Sequence, residues 1–236
     1  DRFYILGQDG SSNLLLMSYV PSTDTLNTTL ATVQSAGNNK RFDIEGVRNP
    51  SASHVILIYH EIDAGANDVL IKRYNNAGAQ QGSTLTIAIA GETANANPAI
   101  EADETDDTVN SVIRDSSGAG ATNLRTHSFA NVLLDGPTAV ADGTHHTICR
   151  LPARTGWNDH VAVVSTADDA SANIINAQWI DIDAHTVTAA RAIANAKQGT
   201  AVIPASAEGQ PSGIVFGGFV EGSGDDSTNA LWYLST

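Results

Sequence analysis

The chain holds 236 residues, 42% of them hydrophobic, and its 12 Lys+Arg stand against 26 Asp+Glu for a net charge of -14. That length and apolar content suit a globular domain and exclude a disordered or fibrous chain, while the sign of the charge argues against nucleic acid as a partner. A single cysteine, Cys149, excludes internal disulfides and multi-cysteine metal sites and is expected as a small buried apolar group; no run approaches the roughly 18 apolar residues of a membrane-spanning helix, so no membrane insertion is expected.

Taken in chain order, the predicted elements repeat. Residues 3–20 read as a β-hairpin, because two short runs of β-prone residues flank a tip of Asp, Gly, Ser and Asn too short for a helix. Two further strand-like pieces follow, at 26–33 and 42–47, and then a second hairpin at 55–74. The same order recurs as 83–90, 97–102 and the hairpin 109–129; as 133–140, 148–153 and the hairpin 161–180; and as 186–194, 201–207 and the hairpin 215–234. Residues 189–197 are Ala-rich and favour helix by propensity, yet their register matches the post-hairpin strand of the other repeats. The matched tip residues Asn13, Asn67, Asn123, Asn173 and Asn229 are spaced 54, 56, 50 and 56 apart, a mean period of 54.

Four strands per period of this length, repeated five times, is the pattern of an all-β propeller. A two-sheet sandwich, the main rival, needs no period. The predicted blades run approximately 1–38, 39–92, 93–143, 144–198 and 199–236. The register enters the first blade at its second strand and leaves the fifth after its third, so incomplete terminal blades are expected, completed either by an unusual closure or by strands from a neighbouring chain or further sequence, the latter favoured.

Residues 49–87 carry Asn49-Pro50, an apolar strand, Asp63 at a polar tip, Arg73-Tyr74, then Ala77-Gly78 and Gly82. This pattern resembles the propeller repeats of large secreted bacterial adhesins of the RTX type, and residues 97–143 share it through Asn97, Pro98 and Asp115. The resemblance implies surface display or adhesion.

Recurrent Asp and Asn residues mark the hairpin tips: Asp9 with Asn13, Asp63 with Asn67, Asp115 with Asn123, Asp169 with Asn173 and Asp225 with Asn229. Turn chemistry explains them, since both side chains bond nearby backbone amides. The functional alternative is calcium held by tip oxygens, for which Asp168, Asp169, Asp225 and Asp226 are the candidates. The strands expected on the inside of the ring carry Asp43, Glu45, Arg48, Glu101, Asp103, Arg150, Arg154 and Glu208. Asp43, Glu101, Asp103 and Glu208 would serve as acid and nucleophile or base if the chain cleaved glycosides. The plainer expectation is a solvated channel whose charges pair, with the arginines holding the carboxyl groups down, the wrong direction for a proton donor.

Trp157, in a polar connection after an inner strand, is a candidate for stacking on a sugar or partner, with Arg48 and Arg154 as candidate polar contacts; burial between blades is the competing explanation for the indole. The histidines lack zinc spacing, and no nucleophile-elbow, His-Glu-x-x-His or phosphate-loop motif occurs. The reading is a non-enzymatic propeller for recognition, adhesion or assembly, extracellular or on a cell or virion surface, with protein neighbours or a surface glycan as partners and no cofactor beyond candidate calcium. Its alternatives are a lectin-like glycan-binding propeller and a glycosidase.

Overall fold

A computed structural model describes residues 2–35, 41–49, 52–63, 66–88, 98–103, 107–115, 121–130, 132–140, 145–151, 160–167, 174–182, 184, 186–189, 191–194, 202–210, 213–220 and 228–235. Their strands form five antiparallel sheets, four of them simple meanders along the chain and the fourth a meander whose last two strands both pair with the third. The first holds β1 (Phe3–Gln8), β2 (Leu14–Val20) and β3 (Thr25–Gln34). The second holds β4 (Arg41–Asn49), β5 (Ala52–Asp63), β6 (Ala66–Asn75) and β7 (Leu85–Ala88). In the third are β8 (Ala99–Asp103), β9 (Thr108–Asp115), β10 (Ala121–Ser128) and β11 (Leu133–Val140). The fourth contains β12 (His145–Arg150), β13 (His160–Ala167), β14 (Ile174–Asp181), β15 (Thr186–Val187) and β16 (Arg191–Ala194), and the fifth β17 (Val202–Gln210), β18 (Gly213–Val220) and β19 (Thr228–Ser235).

Strands β4, β8, β12 and β17, the first of each of the last four sheets, lie side by side as the inner strands of a propeller, with β1 beside β4. Successive sheets stack face on face, and the core sits in the seams between them. Leu6, Leu14, Leu16 and Val33 of the first sheet meet Tyr59, Leu70 and Tyr74 of the second. The opposite face of the second sheet, through Val47, Ile56, Ile58, Val69 and Ile71, meets Ile100, Ala102, Val109 and Ile113 of the third. A third cluster joins Ala99, Val112, Leu124 and Val140 to Ile148, Val161, Val163 and Ile180 of the fourth sheet. Burial on both faces explains why the middle strands read as near-continuous apolar runs rather than as alternating ones. The first sheet alternates instead: Leu6 is buried, while Phe3 and Ile5 are 61% and 43% exposed on the face away from the second sheet.

Polar bonds reinforce the first seam. Lys72 Nζ donates to the Val33 carbonyl at 2.6 Å, the Tyr59 hydroxyl to Gln34 Oε1 at 3.2 Å, and the Tyr4 hydroxyl to Asn76 Oδ1 at 2.6 Å.

Two elements depart from expectation. The strand expected over 186–194 is two, β15 and β16, both paired to β14. Thr188 separates them: its hydroxyl accepts the Trp179 N–H at 3.0 Å, its own N–H donates to the Trp179 carbonyl at 2.9 Å, and Gln178 Nε2 donates to its carbonyl at 3.1 Å. The Ala-rich propensity loses to this pairing. The inner strand of the fourth sheet begins at His145 rather than Ile148, and the His146 ring hydrogen-bonds Thr122 Oγ1 of the third sheet at 3.1 Å.

Candidate functional site

Register decides which charged residues meet. On β4, Asp43 pairs with Ile58, Glu45 with Ile56 and Val47 with His54, so Asp43 and Glu45 share the face that packs on the third sheet. Asp43 Oδ2 accepts the Ile100 N–H of β8 at 3.0 Å and Oδ1 its neighbour Ile44 N–H at 2.8 Å. Burial pushes the Asp43 carboxyl up and these two bonds hold it down. One residue beyond Ile100, Glu101 sits on the opposite face of β8, in line with Asp103. Arg150 of β12 reaches Asp103 Oδ1 at 2.6 Å, and the Asp103 side chain is almost wholly buried. The inner-strand carboxylates Asp43 and Asp103 therefore tie sheet two to three and sheet three to four.

Glu101 behaves differently from the sequence-based expectation. Burial first, then the negative charge of Glu45, raises its carboxyl from 4.5 to about 8, against the Arg150 N–H and guanidinium that oppose the rise. The arginine is already committed to Asp103, so the expected depression does not occur. The charge pairing expected of the channel is met by Asp103 and Arg150, but Asp103 is buried, and Asp43 and Glu101 are half-buried rather than open to solvent. Chemically, Glu101 is a neutral hydrogen-bond donor at neutral pH, and Asp43 and Asp103 are acceptors already in use.

A second polar group lies in the seam between the second and third sheets. Arg73 of β6 follows Val69 and Ile71 on the face turned to the third sheet, and its Cζ lies 5.7 Å from the Phe129 ring centroid. Phe129 packs on the same core cluster, and its N–H is held by the Asp107 carbonyl at 2.9 Å. His127, paired with Val109, points the same way and is 3% exposed; burial and then the Arg125 charge lower its ring from 6.5 to about 4, so it is neutral. Arg73 was visible as part of the repeat, but not as a contact residue. The sequence signal for Phe129 and His127 is that residues 125, 127 and 129 alternate as a strand face should.

The remaining candidates are placed as follows. Trp157, Arg154, Asp168, Asp169, Asp225 and Asp226 lie outside the described residues. Arg48 is on β4 and Glu208 on β17, described in their backbone alone. At the first tip, Asp9 accepts the N–H groups of Ser11 and Asn13 at 2.8 and 2.9 Å and the Asn13 side-chain amide at 2.8 Å, bonds that lower its carboxyl. This is turn chemistry. Among the described residues no group of three or more His, Cys, Asp or Glu forms a metal site, and no helix is long and apolar enough to cross a membrane. Cys149 is buried.

No family model and no curated protein matches the sequence. Solved structures do match its fold. A six-bladed β-propeller lectin of the fungus Aleuria aurantia, described with a fucose recognition mode, aligns with 98% of this chain and 69% of its own, at TM-score 0.66 and 10% identity. A mercury-derivative form of the fucose-specific lectin from Aleuria aurantia covers 99% of this chain and 72% of its own, at TM-score 0.61 and 9% identity. The NanB sialidase of Streptococcus pneumoniae, as a point mutant, covers 89% of this chain and 32% of its own, at TM-score 0.58 and 6% identity. The chain is a β-propeller.

Proposed function

We propose that this propeller recognises glycans without cleaving them, on an outer surface of the cell or particle that makes it. The observation that carries this reading is how the inner-strand carboxylates are employed. Asp43 is spent on the Ile100 amide across one seam and on its neighbour Ile44, and Asp103 on Arg150 across the next, where a glycosidase needs one carboxylate ready to attack or to activate water beside a protonated partner. The likeness to fucose-binding lectins over nearly the whole chain supports it, as does the resemblance of residues 49–87 to adhesin repeats for display at a surface.

Glu101 favours one second reading. A carboxyl raised to about 8 beside Glu45 has the protonation of a general acid, and a sialidase is among the structural neighbours. A glycan array probed with the intact chain, with a parallel assay for released sugar, separates the two. Binding without release is expected. Silence across the array contradicts the recognition reading, and release that Glu101→Gln abolishes replaces it with the glycosidase.

A further inference from the structure

One triplet of the sequence stands apart from both the seams and the inner strands. Asn27-Thr28-Thr29 has the Asn-x-Thr spacing of an N-glycan acceptor and is the chain's single triplet of that kind, since Asn49-Pro50-Ser51 carries the excluded proline. It lies on β3, the outermost strand of the first sheet, in a stretch, 25–29, that is exposed throughout. The ladder is broken there. Ser18 of β2 pairs with Asn27 and Leu16 with Ala31, so residues 28–30 stand opposite Met17 alone and bulge from the strand. Inside the bulge the Asn27 side chain turns back on its own backbone: Oδ1 accepts the Thr29 N–H at 3.0 Å, a bond that fixes the plane of the amide. The amide nitrogen of Asn27 and the Thr29 hydroxyl make no hydrogen bond among the described residues.

We propose that Asn27 is an acceptor for an N-linked oligosaccharide in the folded chain. The inference rests on the outer-surface placement proposed above, which takes the chain through a compartment where such transfer occurs, and not on glycan recognition. The donor is a sugar held on a lipid diphosphate. Asn27 Nδ2 attacks the anomeric carbon, the bond from that carbon to the phosphate oxygen breaks, the lipid diphosphate leaves with the electron pair, and Nδ2 gives up one of its two protons to a base of the transferase. An unbroken ladder would hold the acceptor flat against its neighbours. The bulge lifts it clear, and the turn commits Oδ1 to the backbone, leaving Nδ2 on the opposite side of the amide. The place also gives the modification a consequence. β3 is an edge strand without a charged residue or a proline, and Leu26, next to the acceptor, is 55% exposed. Such an edge invites pairing with another strand, and a glycan on Asn27 covers it.

The test incubates the intact, folded and unmodified chain with an oligosaccharyltransferase and a lipid-linked oligosaccharide, beside a synthetic peptide of residues 20–34 as the unfolded reference. Intact mass and peptide mapping are expected to show a single oligosaccharide per chain, on Asn27, added to the folded chain about as fast as to the peptide and released by peptide N-glycosidase. Asn27→Gln and Thr29→Ala should each abolish it, the second without removing the Thr29 N–H bond, and Thr29→Ser should keep it; circular dichroism checks that all three variants fold. Transfer to the peptide alone overturns the proposal, because the folded bulge then does not present the acceptor. Transfer to neither, or an attachment that survives in Asn27→Gln, overturns it as well. These failures leave the outer-surface placement and glycan recognition standing, since neither enters the assay.

Discussion

Glu101 and His127 are titratable groups whose burial should make stability change with pH in opposite directions. The folded Glu101 carboxyl keeps its proton to about 8, whereas the unfolded one loses it near 4.5. Its stabilising contribution is therefore complete below pH 4.5, declines as pH rises, and is gone above about pH 8. Asp43, also raised, acts in the same direction. His127 runs the other way: its ring falls from 6.5 to about 4, so its contribution is lost as pH drops from 6.5 towards 4. Since one pKa unit corresponds to about 1.4 kcal/mol, the Glu101 effect is on the order of a few kcal/mol. Thermal unfolding across pH should show Glu101→Gln flattening the decline between pH 4.5 and about 8, and His127→Gln flattening the loss from pH 6.5 towards 4. A Glu101→Gln profile that keeps the wild-type slope between pH 4.5 and about 8 would contradict the burial of that carboxyl. The inner-strand carboxylates were legible because short apolar strands carry them at alternate positions. The direction of the Glu101 shift was not, because it depends first on burial between sheets, then on Glu45 from another sheet, and on an arginine already bonded to Asp103.

Between neighbouring sheets, two glycines of the repeat separate local from long-range demands. Gly78 and Gly82 both adopt left-handed backbone, at φ +78° and +73°. A Cβ on Gly78 would lie 2.3 Å from the Leu30 carbonyl oxygen of the first sheet, whereas one on Gly82 meets open space. Gly82→Ala should cost about 1 kcal/mol from backbone conformation alone, and Gly78→Ala about 3 kcal/mol or more because the seam must part. Chemical denaturation of both variants tests this, and equal losses would sink the close-approach argument. The same scale holds the hairpin tip. Asp9→Ala removes three hydrogen bonds from the first turn and should raise hydrogen exchange at the N–H groups of Ser11 and Asn13; unchanged exchange would remove Asp9 from the turn. Tip residues and strand positions were readable from turn chemistry and β-propensity. The division of 186–194 into two strands was not, since the Thr188 hydroxyl takes a ladder bond that propensity does not foresee.

Across the molecule, the 54-residue period announced a propeller because each unit repeats the same buried and turning positions, and those positions become the seams. How the seams end was not written in the period. The first sheet covers one face against the second, while Phe3, Ile5 and Leu26 stay 61%, 43% and 55% exposed. Such a face favours self-association, so light scattering should show mass rising with concentration, and the double variant Phe3→Ser with Ile5→Thr should suppress the rise with little change in melting temperature. A wild-type mass that stays constant with concentration would show that this face does not drive association. The contact of Arg73 with Phe129 was harder to read than the fold for the same reason: the two lie in different repeats, and only the stacking of sheets makes them neighbours. The most direct test of glycan recognition by a propeller whose carboxylates hold the blades together is a crystal structure of the chain with the strongest glycan from the array. Sugar is expected away from the inner-strand carboxylates, with the Asp43–Ile100 and Asp103–Arg150 bonds intact. Sugar lodged against Glu101 on the inner strands would contradict the account.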